Sequence, residues 1–281
     1  MDRNYARCWG AVALAASLGL AAAPASAAGP SRGALVPLPS VLDFTRGDGF
    51  GVALGLGVEV EGAYDGSDET EVEVEPAGGV HYRKGNHLFF WEGMELGWRA
   101  RLADVWLVQA GVRHEDGLAP DDSSKGRLAG IRPRDSHGVG FLEVRRGFGD
   151  DWRHWVGARL MGGPRGFGVL GVLAAGHRFG QQVDGTGTEI YGFLTFGTAN
   201  FINKDFGVTA ADALTSRLPR TTLSGGYRST GVQLVHRRHL TPRLHAIAQA
   251  GVERYSSAIA DSPIARQDHE FELSLALVWR F

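Results

Sequence analysis

The sequence predicts an all-β protein, a transmembrane antiparallel β-barrel of about 12 strands joined as an up-and-down meander. Three observations predict this class. Apolar residues alternate with small or charged residues in segment after segment, the connections between segments are alternately short and long, and the last segment ends on the aromatic Phe281. A period of two is typical of a strand whose two faces meet different surroundings.

The C-terminal stretch HEFELSLALVWRF shows the alternation most clearly. One of its faces is mixed rather than polar, since it carries Ser274, Ala276 and Val278 between Glu272 and Arg280. The other face is apolar throughout, and we interpret it as a membrane-insertion signal. This signal comprises Phe271, Leu273, Leu275, Leu277, Trp279 and Phe281.

Charged residues indicate which face of each segment is turned away from lipid. In the segment 94–102, Glu95, Arg99 and Arg101 share one face. A charge on the lipid side costs about 2–4 kcal/mol near the bilayer midplane, so this face is expected to line the barrel interior. The candidate lumen residues chosen by this phase are Glu59, Glu61, Glu95, Arg99, Arg101, Arg113, Arg153, Arg159, Glu253 and Glu272.

The lumen candidates divide by charge along the chain. The first hairpin is acidic, with Glu71, Glu73 and Glu75 beside Glu59 and Glu61, whereas arginines dominate the later strands. We expect the acidic and basic walls either to pair across a narrow interior or to create a transverse field in a water-filled pore.

The alternating segments predict the strands in order. They are 50–61, 69–82, 87–91, 94–102, 104–113, 139–148, 152–162, 166–179, 189–198, 227–237, 244–255 and 270–281. The short segment 87–91 is included because a single-chain bacterial barrel has an even number of strands. Ten and fourteen strands remain the alternatives.

Connection lengths give an independent test of the barrel. If Phe281 lies at the periplasmic end, the long connections 115–137, 201–226 and 257–268 all fall on the external side. The connections LAD, GDD, QQVDGTGT and LTPR fall on the periplasmic side, and GGPRG is a short external exception. This is the asymmetry of outer-membrane barrels. A secreted β-sandwich also alternates, but it would need its apolar faces to meet each other.

The N-terminal residues indicate export. Arg3 and Arg7 precede an apolar run at 11–23 and the small residues Ala25-Ser26-Ala27, which predicts a signal peptide over 1–27. The segment 28–48 then precedes the barrel domain, 49–281, on the periplasmic side. Its prolines favour extended backbone, so it serves either as a tether or as a docking peptide for a periplasmic partner.

Composition and motifs argue against several functions. A net charge of −2 does not suit a nucleic-acid-binding protein, and the mature chain lacks cysteine because Cys8 lies in the signal peptide. His236 and His239 in HRRH are three apart, which on a strand places them on opposite faces and not around a metal. No nucleophile elbow occurs. We therefore expect no cofactor and no enzyme activity, with a lipid-modifying enzyme as the minor alternative.

Several stretches resemble the MipA/OmpV family of MltA-interacting outer-membrane proteins. They are GDGFGVALGLGVEVEGAYDGSDE at 47–69, NKDFGVTAADA at 203–213, the LTPR turn, and DSPI before the last strand. Asp205 departs from the usual pattern, in which an aromatic residue stands there, and so does the arginine-rich KGRLAGIRPRDSHG. These departures concern the external loops.

The resemblance implies a non-enzymatic barrel in the outer membrane of a Gram-negative cell, surrounded by lipid and inserted by the barrel assembly machinery. It further implies a scaffold for murein (peptidoglycan) synthesis that bridges a lytic transglycosylase and a peptidoglycan synthase. The alternatives are a small-solute or antibiotic-permeable, porin-like pore, and a surface adhesin that uses the loops 115–137 and 201–226.

Overall fold

The computed structural model describes residues 47–149, 152–164, 166–179 and 186–281. The predicted signal peptide and almost all of the segment 28–48 therefore lie outside the described residues. The described strands are β1 (Gly49–Gly62), β2 (Thr70–Lys84), β3 (His87–Glu92), β4 (Glu95–Leu102), β5 (Trp106–Glu115), β6 (His137–Phe148), β7 (His154–Gly162), β8 (Val169–Phe179), β9 (Gly187–Gly197), β10 (Gly226–His239), β11 (Leu244–Tyr255) and β12 (His269–Arg280).

The strands form one closed barrel in which each strand pairs antiparallel with its neighbours in the chain. Closure joins β1 to β12, with Leu54 opposite Trp279 and Val58 opposite Leu275. The predicted fold class is confirmed, including the even strand number and the short third strand.

Most predicted strands differ from the observed ones by one to three residues at an end, and β5, β8 and β10 show a local reason for the difference. β5 starts at Trp106 because Ala103 and Asp104 take positive φ angles of 47° and 57° in the preceding turn. β8 starts at Val169, after Gly168 with φ 87°. β10 carries a bulge between Tyr227 and Ser229, which shifts its phase within the strand.

The two ends of the barrel differ. The end that carries the short connections, including 85–86, 103–105 and 240–243, is called the turn end here. The opposite end, called the loop end, carries the segments 63–69, 116–136, 198–225 and 256–268. The described residues of the loop end also form a 3₁₀ helix at Pro120–Asp122 and three short α-helices, none of which the sequence predicted. The α-helices are α1 (Ala199–Phe206), α2 (Ala210–Thr215) and α3 (Ser257–Ala260).

The outer surface of the barrel is apolar. Side chains such as Leu54, Leu56 and Leu275 are 55%, 66% and 57% exposed, and they recur at every second position around the barrel. A contiguous apolar belt of this extent on a closed sheet is stable in lipid and not in water. None of the described helices is long and apolar enough to span a bilayer. A sandwich is excluded because the sheet closes on itself.

Candidate functional site

The interior of the barrel contains a packed apolar cluster. Its main members point inward from β3 to β9: Leu88, Phe90, Val139, Phe141, Trp155, Met161, Leu170, Val172, Tyr191 and Phe193. This explains why β8 carries apolar residues on both faces, since its inward face packs in the cluster while its outward face meets lipid. Much of the interior is therefore filled by side chains.

Glycines on the inward face make room for these rings. A Cβ atom at Gly176 would lie 2.4 Å from the indole of Trp155, and one at Gly231 would lie 2.3 Å from the ring of Phe193. Trp155 also donates a hydrogen bond of 3.1 Å from its indole nitrogen to Glu189. The glycine-rich face seen in the sequence is thus the face that accommodates inward aromatic rings.

Buried arginines form ion pairs along the wall built by β4 to β9. Arg159 lies 2.6 Å from Glu95 and 3.8 Å from Glu143, and Glu143 also binds Arg145. Arg113 lies 3.8 Å from Glu95. Buried charges are stable only when paired, and these arginines find carboxylates within their own wall. The carboxylates that Arg159 contacts thus belong to its own wall, whereas one of the two arrangements expected from the sequence paired the arginines with the acidic first hairpin.

Farther along the same wall, the pairing continues through two more polar contacts. Arg178 lies 2.7 Å from Glu189, and Arg99 donates a hydrogen bond of 2.8 Å to Gln109. The wall consequently carries alternating acidic and basic groups.

Carboxylates crowd the opposite wall, formed by β12, β1 and β2. Glu59 stands directly across from Glu73 in the ladder, and Glu61 across from Glu71. Like charges in directly opposed positions destabilise a sheet unless protons, water or mobile cations compensate them. Glu272 accepts hydrogen bonds from the neutral amides of Gln233, at 3.3 Å, and Gln249.

The predicted lumen residues separate into three groups. Buried inside the barrel are Glu59, Glu61, Glu95, Arg99, Arg113, Arg159 and Glu253. Glu272 is half-buried, whereas Arg101 and Arg153 are exposed at the turn end, where Arg101 lies 5.4 Å from the ring of Trp152. Arg101 is the last residue but one of β4, and Arg153 directly precedes β7, so both lie at the edge of the sheet and not along the interior.

Sequence reasoning missed several buried charged residues, among them three that form ion pairs inside the barrel. Glu143 and Glu189 share the phase of the chosen residues on β6 and β9, and this phase was the signal that would have found them. Arg228 is fully buried next to the β10 bulge, and no periodic pattern predicts it. It lies 2.6 Å from both Glu253 and Asp65, so it links the wall to the loop end.

The residues predicted as the insertion signal are all exposed on the outside of the barrel, five of them on β12 and Phe281 directly after it. Their exposed fractions run from 40% at Trp279 to 72% at Phe281. This places them on the lipid-facing surface, and their recognition during insertion stays a prediction.

The loops close over the loop end as a single structure, called the cap here. Its apolar core takes residues from four separate connections: Ala63, Tyr64, Leu118, Leu128, Ile131, Val208 and Ile264. A second cluster joins Phe206 of α1 to Tyr255 of β11, with ring centroids 5.3 Å apart. Apolar contacts between loops distant in sequence therefore hold the cap over the barrel.

Glu69 anchors the loop 116–136 to the first hairpin. It accepts hydrogen bonds from the hydroxyls of Ser123 at 2.5 Å and Ser124 at 2.6 Å, and from the backbone N–H of Lys125 at 2.9 Å. Burial by itself raises the pKa of Glu69, but these hydrogen bonds and the charge of Lys125 outweigh it and lower the pKa to about 2. The carboxylate form is the one that the cap requires.

Asp212 anchors α2 to the same loop. It forms a capping box with Thr209 at the start of the helix and lies 3.0 Å from the guanidinium of Arg132. Burial raises the pKa of Asp212, but the hydrogen bonds from Thr209 and Arg132 prevail and lower it to about 2. Both anchors of the cap thus depend on ionised carboxylates.

Arg134 binds the C-terminal end of α1. Its guanidinium donates hydrogen bonds to the carbonyl oxygens of Asn203 at 3.2 Å and Gly207 at 2.5 Å, and to that of Lys204. A cation at this end satisfies carbonyl groups that have no partner within the helix and complements the helix dipole. Burial lowers the pKa of Arg134 below its usual value.

Residues 54–281 match the family described as MltA-interacting protein MipA. The chain belongs to the MipA family. None of the curated proteins matches it significantly. The match spans β1 to β12 almost completely, so the barrel and its cap together constitute the MipA-family unit.

Solved outer-membrane structures are only distantly similar to this MipA-family chain. The NanC porin is 11% identical with a TM-score of 0.42, over 80% of this chain and 98% of the porin. The toluene transporter TodX of Pseudomonas putida is 10% identical with a TM-score of 0.43, over 88% of this chain and 94% of that chain. The COG4313 channel of Pseudomonas putida F1 is 9% identical with a TM-score of 0.39, over 85% and 98%. Similarity this low carries no functional argument.

The geometry and the family together identify an outer-membrane barrel protein. As a member of the MipA family it combines a lipid-facing apolar surface, an interior filled by rings and ion pairs, and a cap over one end.

Proposed function

We propose that this MipA-family barrel is a non-enzymatic scaffold that holds murein-remodelling enzymes at the inner surface of the outer membrane. The observation that carries the proposal is the cap, whose apolar core is drawn from four connections across the loop end. A barrel closed in this way is poorly suited to free diffusion of solutes. Its role then lies with the surfaces that it presents to partners.

The turn end is the side that faces the periplasm, because short turns lie there in outer-membrane barrels and long loops lie outside. The segment 28–48 leads into β1 at this same end. The family description, MltA-interacting protein, supports a lytic transglycosylase as one partner. A peptidoglycan synthase is the second partner, and the barrel brings the two enzymes together.

A pulldown from periplasmic extract tests the scaffold. The full mature chain is expected to retain both enzymes, and a chain lacking residues 29–42 tests whether the N-terminal segment contributes to capture. A heat-modifiability gel shows that each chain is a folded barrel. Failure of the folded full chain to retain either enzyme would refute the scaffold.

A second candidate function is a narrow cation-selective path, and the acidic wall favours it. Glu59, Glu61 and Glu73 would attract cations and repel anions along one side of the interior. Planar-bilayer recordings separate the two functions. If the folded barrel shows no conductance, the cation path is excluded. Cation-selective conductance steps that become smaller in Glu59→Gln would support the path. The adhesin alternative is weakened because its two loops pack into the cap.

A further inference from the structure

A band of basic, aromatic and hydroxyl side chains surrounds half of the turn end on the outside of the barrel. It crosses β5 to β10 and comprises Trp106, Arg146, Phe148, His154, His177, Phe179, Thr188, His236 and Arg238. These residues have the outward phase of their strands. We call this set the outer basic band.

The members of the band are neighbours in the sheet. Trp106 stands opposite Arg146, Phe148 opposite His154, and His154 in turn opposite His177. On the next strands Thr188 pairs with both Phe179 and His236. The band is therefore one continuous surface.

Aromatic and imidazole contacts hold the band in place. The guanidinium of Arg146 lies 5.3 Å from the ring of Trp106 and 5.0 Å from that of Phe148. The Nδ1 atoms of His154 and His177 are 3.2 Å apart, and Thr188 Oγ1 lies 2.9 Å from His236 Nδ1. Arg146 is thus positioned by its aromatic neighbours, and both Arg146 and Arg238 are exposed.

The position of the band identifies its surroundings. Two residues farther from the turn end, the outward positions become apolar, as at Val156 and Leu234, which are 47% and 41% exposed to the lipid side. An outward arginine is costly in hydrocarbon but nearly neutral at the membrane interface, so Arg146 and Arg238 mark the level of the headgroups. Flanking aromatic rings are typical of the same level.

The charge of the band identifies its ligand. In the described parts of β5 to β10, no Asp or Glu occupies an outward position. Asp150, Asp151 and Asp184 belong to the adjoining turns and lie outside the described residues. Two exposed arginines with hydroxyl and imidazole groups between them at headgroup level are complementary to phosphate.

We propose that the outer basic band is a binding surface for anionic phospholipid in the leaflet at the turn end. The acidic headgroup phosphates bind Arg146 and Arg238, and the acyl chains lie along the apolar strand surface above them. Only the assignment of this leaflet to the periplasmic side rests on the proposed orientation. Lipid binding itself is independent of the scaffold function.

Native mass spectrometry of the folded full-length barrel tests this surface. The barrel is released from vesicles that contain equal amounts of phosphatidylglycerol and phosphatidylcholine, and the ratio of the two retained lipids is measured. A surface cation contributes about a fivefold preference for an anionic lipid, so the double variant R146Q/R238Q is expected to lose roughly 25-fold in this ratio. R146K/R238K keeps the charge and should keep most of the preference.

The matched control is R217Q/R220Q, which removes the same charge from exposed positions of the loop end. It should leave the ratio unchanged, and a heat-modifiability gel confirms that each variant is folded. An unchanged ratio in R146Q/R238Q overturns the proposal, as does capture of a soluble acidic protein by the band in place of lipid. If the double variant does not fold, the native chain is tested with added salt instead. Salt is expected to lower the ratio of retained phosphatidylglycerol to phosphatidylcholine, and a ratio that does not depend on salt overturns the proposal.

Discussion

The guanidinium of Arg159 on β7 lies 2.6 Å from the carboxylate of Glu95 on β4, so an ion pair connects strands that are not neighbours in the sheet. Both side chains are buried, and Arg159 also approaches the ring of Phe141 at 4.1 Å. The contact links two separated parts of the wall. A backbone hydrogen bond between paired strands links only neighbouring strands.

Arg159→Met is expected to destabilise the barrel by about 3–5 kcal/mol, because it leaves the carboxylates of Glu95 and Glu143 buried without their common cation. The change in the free energy of unfolding is measured by equilibrium unfolding of the barrel in lipid vesicles with denaturant, and the folded fraction is read from heat-modifiability gels. The double variant E95Q/R159M should recover part of the loss. Arg153→Met, at an exposed position, should change stability by less than about 0.5 kcal/mol, and an equal effect of both substitutions would contradict the prediction.

Gly176→Val is expected to cost about 1–3 kcal/mol, because the added side chain meets the indole of Trp155 where a Cβ would already lie at 2.4 Å. The same unfolding measurement applies. Gly138→Val is the matched control, since a Cβ there has no atom within 4 Å. If both variants unfold at the same denaturant concentration, the packing of glycine against the ring is not what stabilises the interior.

Acid is expected to loosen the cap. The folded pKa of Glu69, about 2, lies below its ordinary value of 4.5, so its stabilising contribution is present above the ordinary value and is lost as the pH falls toward about 2. The hydrogen-exchange protection factors of the loop 116–136, which are corrected for the intrinsic pH dependence of exchange, should be high at neutral pH and fall across this window. Glu69→Gln should lower the protection of this loop at neutral pH and make the protection less dependent on pH. Asp121→Asn, at an exposed site, should have neither effect. Protection in Glu69→Gln equal to that of the native chain would argue against this anchor.

Phe281→Ser is expected to reduce the amount of heat-modifiable barrel in the outer membrane several-fold, because Phe281 ends the outward row on β12. Quantifying the folded and unfolded bands from isolated membranes checks this. Phe50→Ser removes an outward aromatic ring at the same end, 56% exposed, from the first strand. Equal losses in both variants would show a general need for aromatic residues at the interface, and not a C-terminal signal.

Period-two alternation determined the strands, their meander order and the phase of residues such as Glu59, Arg99 and Leu275. This succeeded because in a lipid-embedded barrel every strand has one face in hydrocarbon, so the side of each residue depends only on its neighbours along the chain. Connection lengths likewise distinguished the loop end from the turn end. These features are local, and the sequence alone carries them.

Only the tertiary structure decided how the interior charges pair and how the loop end is closed. The contact of Glu95 with Arg159, the burial of Arg228 beside a bulge, and the anchoring of a loop by Glu69 all join residues far apart in sequence. Such contacts depend on strand register, on closure of the sheet and on the packing of separate loops against each other. No periodic pattern encodes them, because each is stable only once the whole barrel has brought its partners together.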